Sequence, residues 1–170
     1  MRQAGSGAPA SYTQHVINRH IARAIELATE NVRSGDGGPF AAVIVKDDEV
    51  IAEAANCVTR TNDPTAHAEI VAIRRACAKL GSFELRDCEI YCSCEPCPMC
   101  LGAIYWARPA RVYFAATAAD AAKAGFDDSL IYSEVCRPPS TRKIPMSQLA
   151  SSEAAEPFRA WLHQPNRVQY

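Results

Sequence analysis

The chain has 170 residues, 48% hydrophobic and 22% charged, about one domain's worth of ordinary globular sequence. Eighteen basic against nineteen acidic residues leave a net charge of -1, which excludes a general electrostatic pull toward nucleic acid or anionic lipid. No apolar run approaches the roughly 20 residues that span a bilayer, and MRQAGSGAPASY has no apolar signal-peptide core; a cytoplasmic chain without membrane contact is expected.

Residues 1–11 read as a mobile tail. From Tyr12 to Arg33, Ile17, Ile21, Ile25, Ala28 and Val32 recur at three- and four-residue spacing, which predicts an amphipathic helix stopped by Gly35, Gly37, Gly38 and Pro39. Phe40 to Val45 is a near-continuous apolar run, suited to a strand buried on both faces. The turn residues Asp47 and Asp48 lead into a second strand, Val50 to Val58, and a polar loop, Thr59 to Thr65. A helix is predicted from Ala66 to Leu80 with Gly81 as its C-cap, then a strand from Glu89 to Ser93. Glu95-Pro96-Cys97-Pro98 breaks that ladder. Pro98 can open a further helix, because its missing N–H would have no partner there. This helix ends near Arg108-Pro109, before a strand from Arg111 to Ala116. The order α-β-β-α-β-α-β predicts a mixed central sheet with helices on both faces, a three-layer α/β/α sandwich. Thr117 to Ala124 reads as helical, Pro138-Pro139 and Pro145 punctuate a connector, and the final segment carries Phe158, Trp161 and Tyr170.

Cysteine is the anomaly. Eight are too few for a disulfide scaffold of this length, yet Cys88, Cys92, Cys94, Cys97 and Cys100 crowd into thirteen residues. Such crowding in a reducing compartment points to a metal. His67-Ala68-Glu69 begins one predicted helix and Pro96-Cys97-Pro98-Met99-Cys100 begins another. Two Cys at i and i+3 set both sulfurs near one helix end, where the dipole favours thiolates. One imidazole (His67) with two thiolates (Cys97 and Cys100) suits Zn²⁺, with an open fourth position for water. On a regular helix His67 and Glu69 lie about 200° apart, so they converge only if the metal sits off the helix end. Glu69 held there can carry protons for the bound water. Cys94-x-x-Cys97-x-x-Cys100 also follows iron–sulfur spacing, but no further thiol completes a set of four. A redox pair or a structural zinc module binding a protein partner are the remaining readings, and Glu69 beside an incomplete ligand set argues against the module.

The order H-x-E and P-C-x-x-C resembles the zinc deaminase signature. Through Gly38-Pro39-Phe40, the run from Asn62 to Glu69, the run from Ser93 to Pro109, and Ala124-Gly125-Phe126-Asp127-Asp128-Ser129, the chain is similar to the cytidine deaminase superfamily. Within it the bacterial guanine deaminases are most alike, over almost the whole length from Val16 to Tyr170. The resemblance implies a cytidine deaminase-like fold and zinc-dependent hydrolysis of guanine to xanthine and ammonia. It implies His67, Cys97 and Cys100 as zinc ligands, Glu69 as proton shuttle, Phe40 stacking on the purine, Asn56 bonding the base, and Asp128 near the departing amine. It also implies a homodimer in which residues 151–170 are exchanged beyond a deaminase domain of residues 12–150, with Tyr170 closing the partner's site.

From residues alone, Phe40 reads rather as a core residue, Asn56 as a satisfier of backbone groups, and Asp128 as a helix cap; Glu134 competes with Asp128. Trp106 reads as core or pocket wall. Guanosine, or the adenosine of a tRNA loop, stands as the alternative substrate, the latter disfavoured by the absence of a basic charge excess.

Overall fold

In the computed structural model residues 10–149 and 151–170 are described, with side chains from residue 19 onward. The expected tail lies outside the described residues up to residue 9. Helix α1 covers Ala10–Ser34, and strands β1 (Ala41–Lys46) and β2 (Glu49–Ala55) form a hairpin. Helix α2 (Val58–Thr61) and helix α3 (Ala68–Leu80) precede β3 (Cys88–Cys94). Helix α4 (Pro98–Ala107), β4 (Arg111–Ala116) and α5 (Ala118–Lys123) follow. Among the described residues the strands form one sheet in the order β2-β1-β3-β4, antiparallel except for the parallel β3–β4 pair.

The apolar run of β1 is buried from Ala41 to Val45, and alternation divides it between two cores. Ala42 and Ile44 join Ile90, Cys92 and the α3 residues Ala68, Ala72 and Ala76 on one face. Val43 and Val45 meet Tyr91, Ala24, Ile21 and Leu27 on the other, beneath α1. These are the three layers that the element order predicts. Burying a side chain such as Ile44 contributes about 1.5–3 kcal/mol. Alanine at every fourth position of α3 lets that helix approach the sheet closely, and Gly81 ends it in the left-handed region at φ 61°.

Two boundaries differ from the sequence reading. Strand β2 ends at Ala55, three residues early, because the Asn56 side chain turns the chain by accepting the Val58 N–H at 3.3 Å. Part of the expected loop is α2, closed by Thr61 Oγ1 donating to the Cys57 carbonyl and by Asn62 at φ 53°.

The described chain divides into two compact units, one ending at Asp128 and one comprising Ser129–Tyr170. The second holds α6 (Ser129–Val135), a 3-10 turn at Pro139–Thr141 and α7 (Glu156–His163). Within it Glu134 pairs with Arg137 at 3.3 Å and accepts the Lys143 N–H. Phe158 and Leu162 are exposed on α7.

Candidate functional site

Two helix starts meet at one point. His67 is the N-cap of α3 and Cys97 the N-cap of α4, both in extended backbone and neither making a side-chain capping bond. Both side chains are thereby left to each other. His67 Nδ1 lies 3.5 Å from Cys97 Sγ and 3.6 Å from Cys100 Sγ, and the three ligand atoms all fall within 4.8 Å. A tetrahedral zinc with Zn–S near 2.3 Å and Zn–N near 2.0 Å requires an N···S edge of about 3.5 Å. The donors fit zinc in kind and in spacing. Among the described residues no fourth protein ligand joins them.

The charges agree with that use. A hydrogen bond from Cys100, with help from His67, pulls the Cys97 thiol down to about 4. The same bond, together with burial, pushes Cys100 up, and the Cys97 sulfur raises His67. A thiolate is therefore already present in the trio, and a dication binding there displaces the remaining protons.

Glu69 is the second residue of α3 and is 7% exposed. The ligands sit off the helix end, so His67 and Glu69 converge despite their i, i+2 spacing. Cys100 Sγ is within hydrogen-bond reach of the Glu69 carboxyl. Burial pushes that carboxyl up, toward the range where it can both take and return a proton near neutrality.

His67, Glu69 and Cys97 open onto a cavity of about 600 Å³, whose walls include Phe40, Asn56, Phe126 and Asp128. Phe40 meets Phe126 edge to face, with centroids 4.9 Å apart and planes at 87°, so its own face is held at a fixed angle. Sequence reasoning gave Phe126 no role; the signal was its place in the Ala124–Ser129 run, with Gly125 at φ 94° turning the chain. Asn56 is 8% exposed, and its Oδ1 is taken by the Val58 N–H, which orients its amide nitrogen as the free donor. Burial, followed by the Cys97 charge, pushes the Asp128 carboxyl up.

The cavity walls therefore bring together His67, Cys97, Glu69, Phe40, Asn56 and Asp128, with Cys100 beside them. Tyr170 and Glu134 belong to the second unit. Trp106 is a correction: it is 63% exposed on α4 and does not line the cavity. Cys94 lines the cavity but stands apart from the ligand trio, with its sulfur 3.5 Å from the Thr117 carbonyl. Replacing Cys94 by alanine should leave zinc stoichiometry unchanged in metal analysis; loss of the metal would mean the trio is misassigned.

Residues 15–116 match the family described as the cytidine and deoxycytidylate deaminase zinc-binding region. The chain is 57% identical over 150 residues to a guanine deaminase of Bacillus subtilis, covering 88% of this chain and 96% of that protein. An X-ray structure of guanine deaminase from Bacillus subtilis superposes with a TM-score of 0.89 at 56% identity, over 90% of this chain and 98% of that one. A guanine deaminase structure from Nitrosomonas europaea gives 0.62 at 34% identity, over 76% and 79%.

Proposed function

The chain belongs to the cytidine and deoxycytidylate deaminase zinc-binding family, and from that premise we propose that it hydrolyses guanine to xanthine and ammonia. The observation that carries the reading is a buried carboxyl, Glu69, beside a three-ligand trio with no fourth protein donor among the described residues. Both open onto a cavity with an aromatic wall and an amide donor.

His67, Cys97 and Cys100 would hold the zinc, which when bound would supply a Lewis acid able to lower the pKa of a water from 15.7 to about 7. Glu69 accepts a proton from the attacking water and delivers it to the ring nitrogen beside the amine-bearing carbon. The water oxygen bonds to that carbon; Glu69 next takes the new hydroxyl's proton and passes it to the amine, which Asp128 orients, and the C–N bond breaks to release ammonia as the new carbonyl forms. Phe40 stacks on the purine. Asn56, its amide nitrogen set as donor by the Val58 contact, bonds a ring carbonyl. An adenine ring offers no such carbonyl. Enclosure of the cavity would strengthen each of these contacts by excluding water.

The reading extends to the assembly. Residues 151–170 are exchanged between two protomers, and Tyr170 closes the partner's site; the exposed apolar side chains Phe158 and Leu162 on α7 support a docking role for this segment. The enzyme works in the cytoplasm. No helix among the described residues is long and apolar enough to cross a membrane.

Ammonia release from guanine, guanosine, adenine and cytosine, measured on one zinc-assayed sample, tests the substrate. Guanine should be turned over fastest, and a preference for adenine or guanosine would contradict the reading. The same assay on a chain ending at Pro165 should show activity falling far more than thermal stability. Unchanged kinetics there would defeat the closing role of Tyr170.

A further inference from the structure

Phe40 immediately precedes β1 and Asn56 immediately follows β2, yet a flat base must meet the ring of one and the amide of the other at once. What fixes the gap between them lies outside the cavity, on α1. Asn31 Nδ2 donates to the Gly38 carbonyl at 2.9 Å and to the Asn56 carbonyl at 2.8 Å. The Gly38 carbonyl also accepts the Phe40 N–H at 2.9 Å, and the Asn56 N–H donates to the Phe40 carbonyl at 2.9 Å. These four bonds form a closed circuit through Asn31, Gly38, Phe40 and Asn56. The side-chain amide of Asn31 is its one member not supplied by the backbone.

Gly37 shows how tightly the circuit is drawn. A Cβ at that position would stand 2.2 Å from the Asn56 carbonyl oxygen and 2.9 Å from Asn31 Nδ2. The approach to the backbone carbonyl is not tolerable, so the walls can close to this distance only with glycine there. Both amide hydrogens of Asn31 are used, one on each carbonyl, and both acceptors are oxygens. An aspartate of the same shape would set a carboxylate against two carbonyls and lose both bonds.

We propose that Asn31 is a positioning residue for the substrate, setting the separation and angle between the Phe40 ring and the Asn56 amide. This rests on the proposed guanine reading of the site. Asn31 does not line the cavity and touches none of the zinc ligands, so its effect should appear in binding of the base and leave the metal and the proton transfers alone.

The test compares Asn31→Asp and Asn31→Leu with the parent, in zinc-loaded full-length protein, by steady-state kinetics on guanine and calorimetric binding of xanthine. KM and the xanthine Kd should each rise about 10-fold or more, while kcat changes less than about 3-fold and zinc content stays constant. A merely structural Asn31 would lower thermal stability without moving KM or Kd, and that result would overturn the proposal. So would loss of zinc or a fall confined to kcat. If both Asn31 variants fail to fold, Gly37→Ala decides, since its Cβ would displace the Asn56 carbonyl that Asn31 holds. It should reproduce the rise in KM and Kd, and parent-like values would overturn the proposal. Failure of the parent to deaminate guanine would instead remove the reading beneath it, so the two failures are distinguishable.

Discussion

Replacing Glu69 by glutamine is expected to cut kcat by at least about 10³-fold while one zinc per chain is retained. Glutamine matches the shape of the buried carboxyl, and Glu69 contributes no atom to the His67, Cys97 and Cys100 trio, so packing and ligation both survive. What is lost is the capacity to take the water's two protons in turn and deliver one to the ring and the other to the amine. The raised proton affinity that burial gives this carboxyl is specific to that cycle. Turnover by stopped assay with metal analysis on the same sample checks the result. A variant with more than about a tenth of parental kcat would show that another group carries the protons.

Replacing Cys97 by alanine should have the second large effect, on metal and stability together. It deletes the sulfur most readily ionised and leaves only one imidazole and one thiol to hold a dication. Zinc that binds only the folded chain stabilises it by about 4 kcal/mol when present at a thousand times its Kd, so losing the site lowers Tm as well as activity. The same protons set a pH dependence. His67 and Cys100 both have raised proton affinity in the folded chain, so protons compete with zinc more strongly as pH falls. Zinc affinity should therefore weaken from about pH 8 to about pH 6. Metal titration with a competing chelator at several pH values measures this. A Cys97→Ala protein with full zinc content would remove Cys97 from the ligand set.

The layered fold was legible where the apolar period was unambiguous. The run from Phe40 to Val45 predicted a strand covered on both faces, and Ala41–Val45 are buried between the α3 and α1 layers. Pro98 and Gly81 marked helix ends through backbone chemistry that tertiary context does not override. Helix α2 was not legible, because four residues carry no period and its cause is a side-chain bond from Asn56 across a turn. In the site, the trio and Glu69 could be read because ligand type and order are constrained by the metal. Phe126 and Asn31 could not be read that way. Phe126 acts through an edge-to-face contact with a residue eighty-six positions earlier, and Asn31 reads as a polar position on an amphipathic helix. Long-range pairings of this kind leave no local spacing to detect.

Zinc-edge X-ray absorption on active, full-length protein tests the centre most directly. The account predicts two sulfur neighbours near 2.3 Å, one imidazole nitrogen near 2.0 Å and one light solvent oxygen. A third sulfur, or a second imidazole in place of that oxygen, would contradict it.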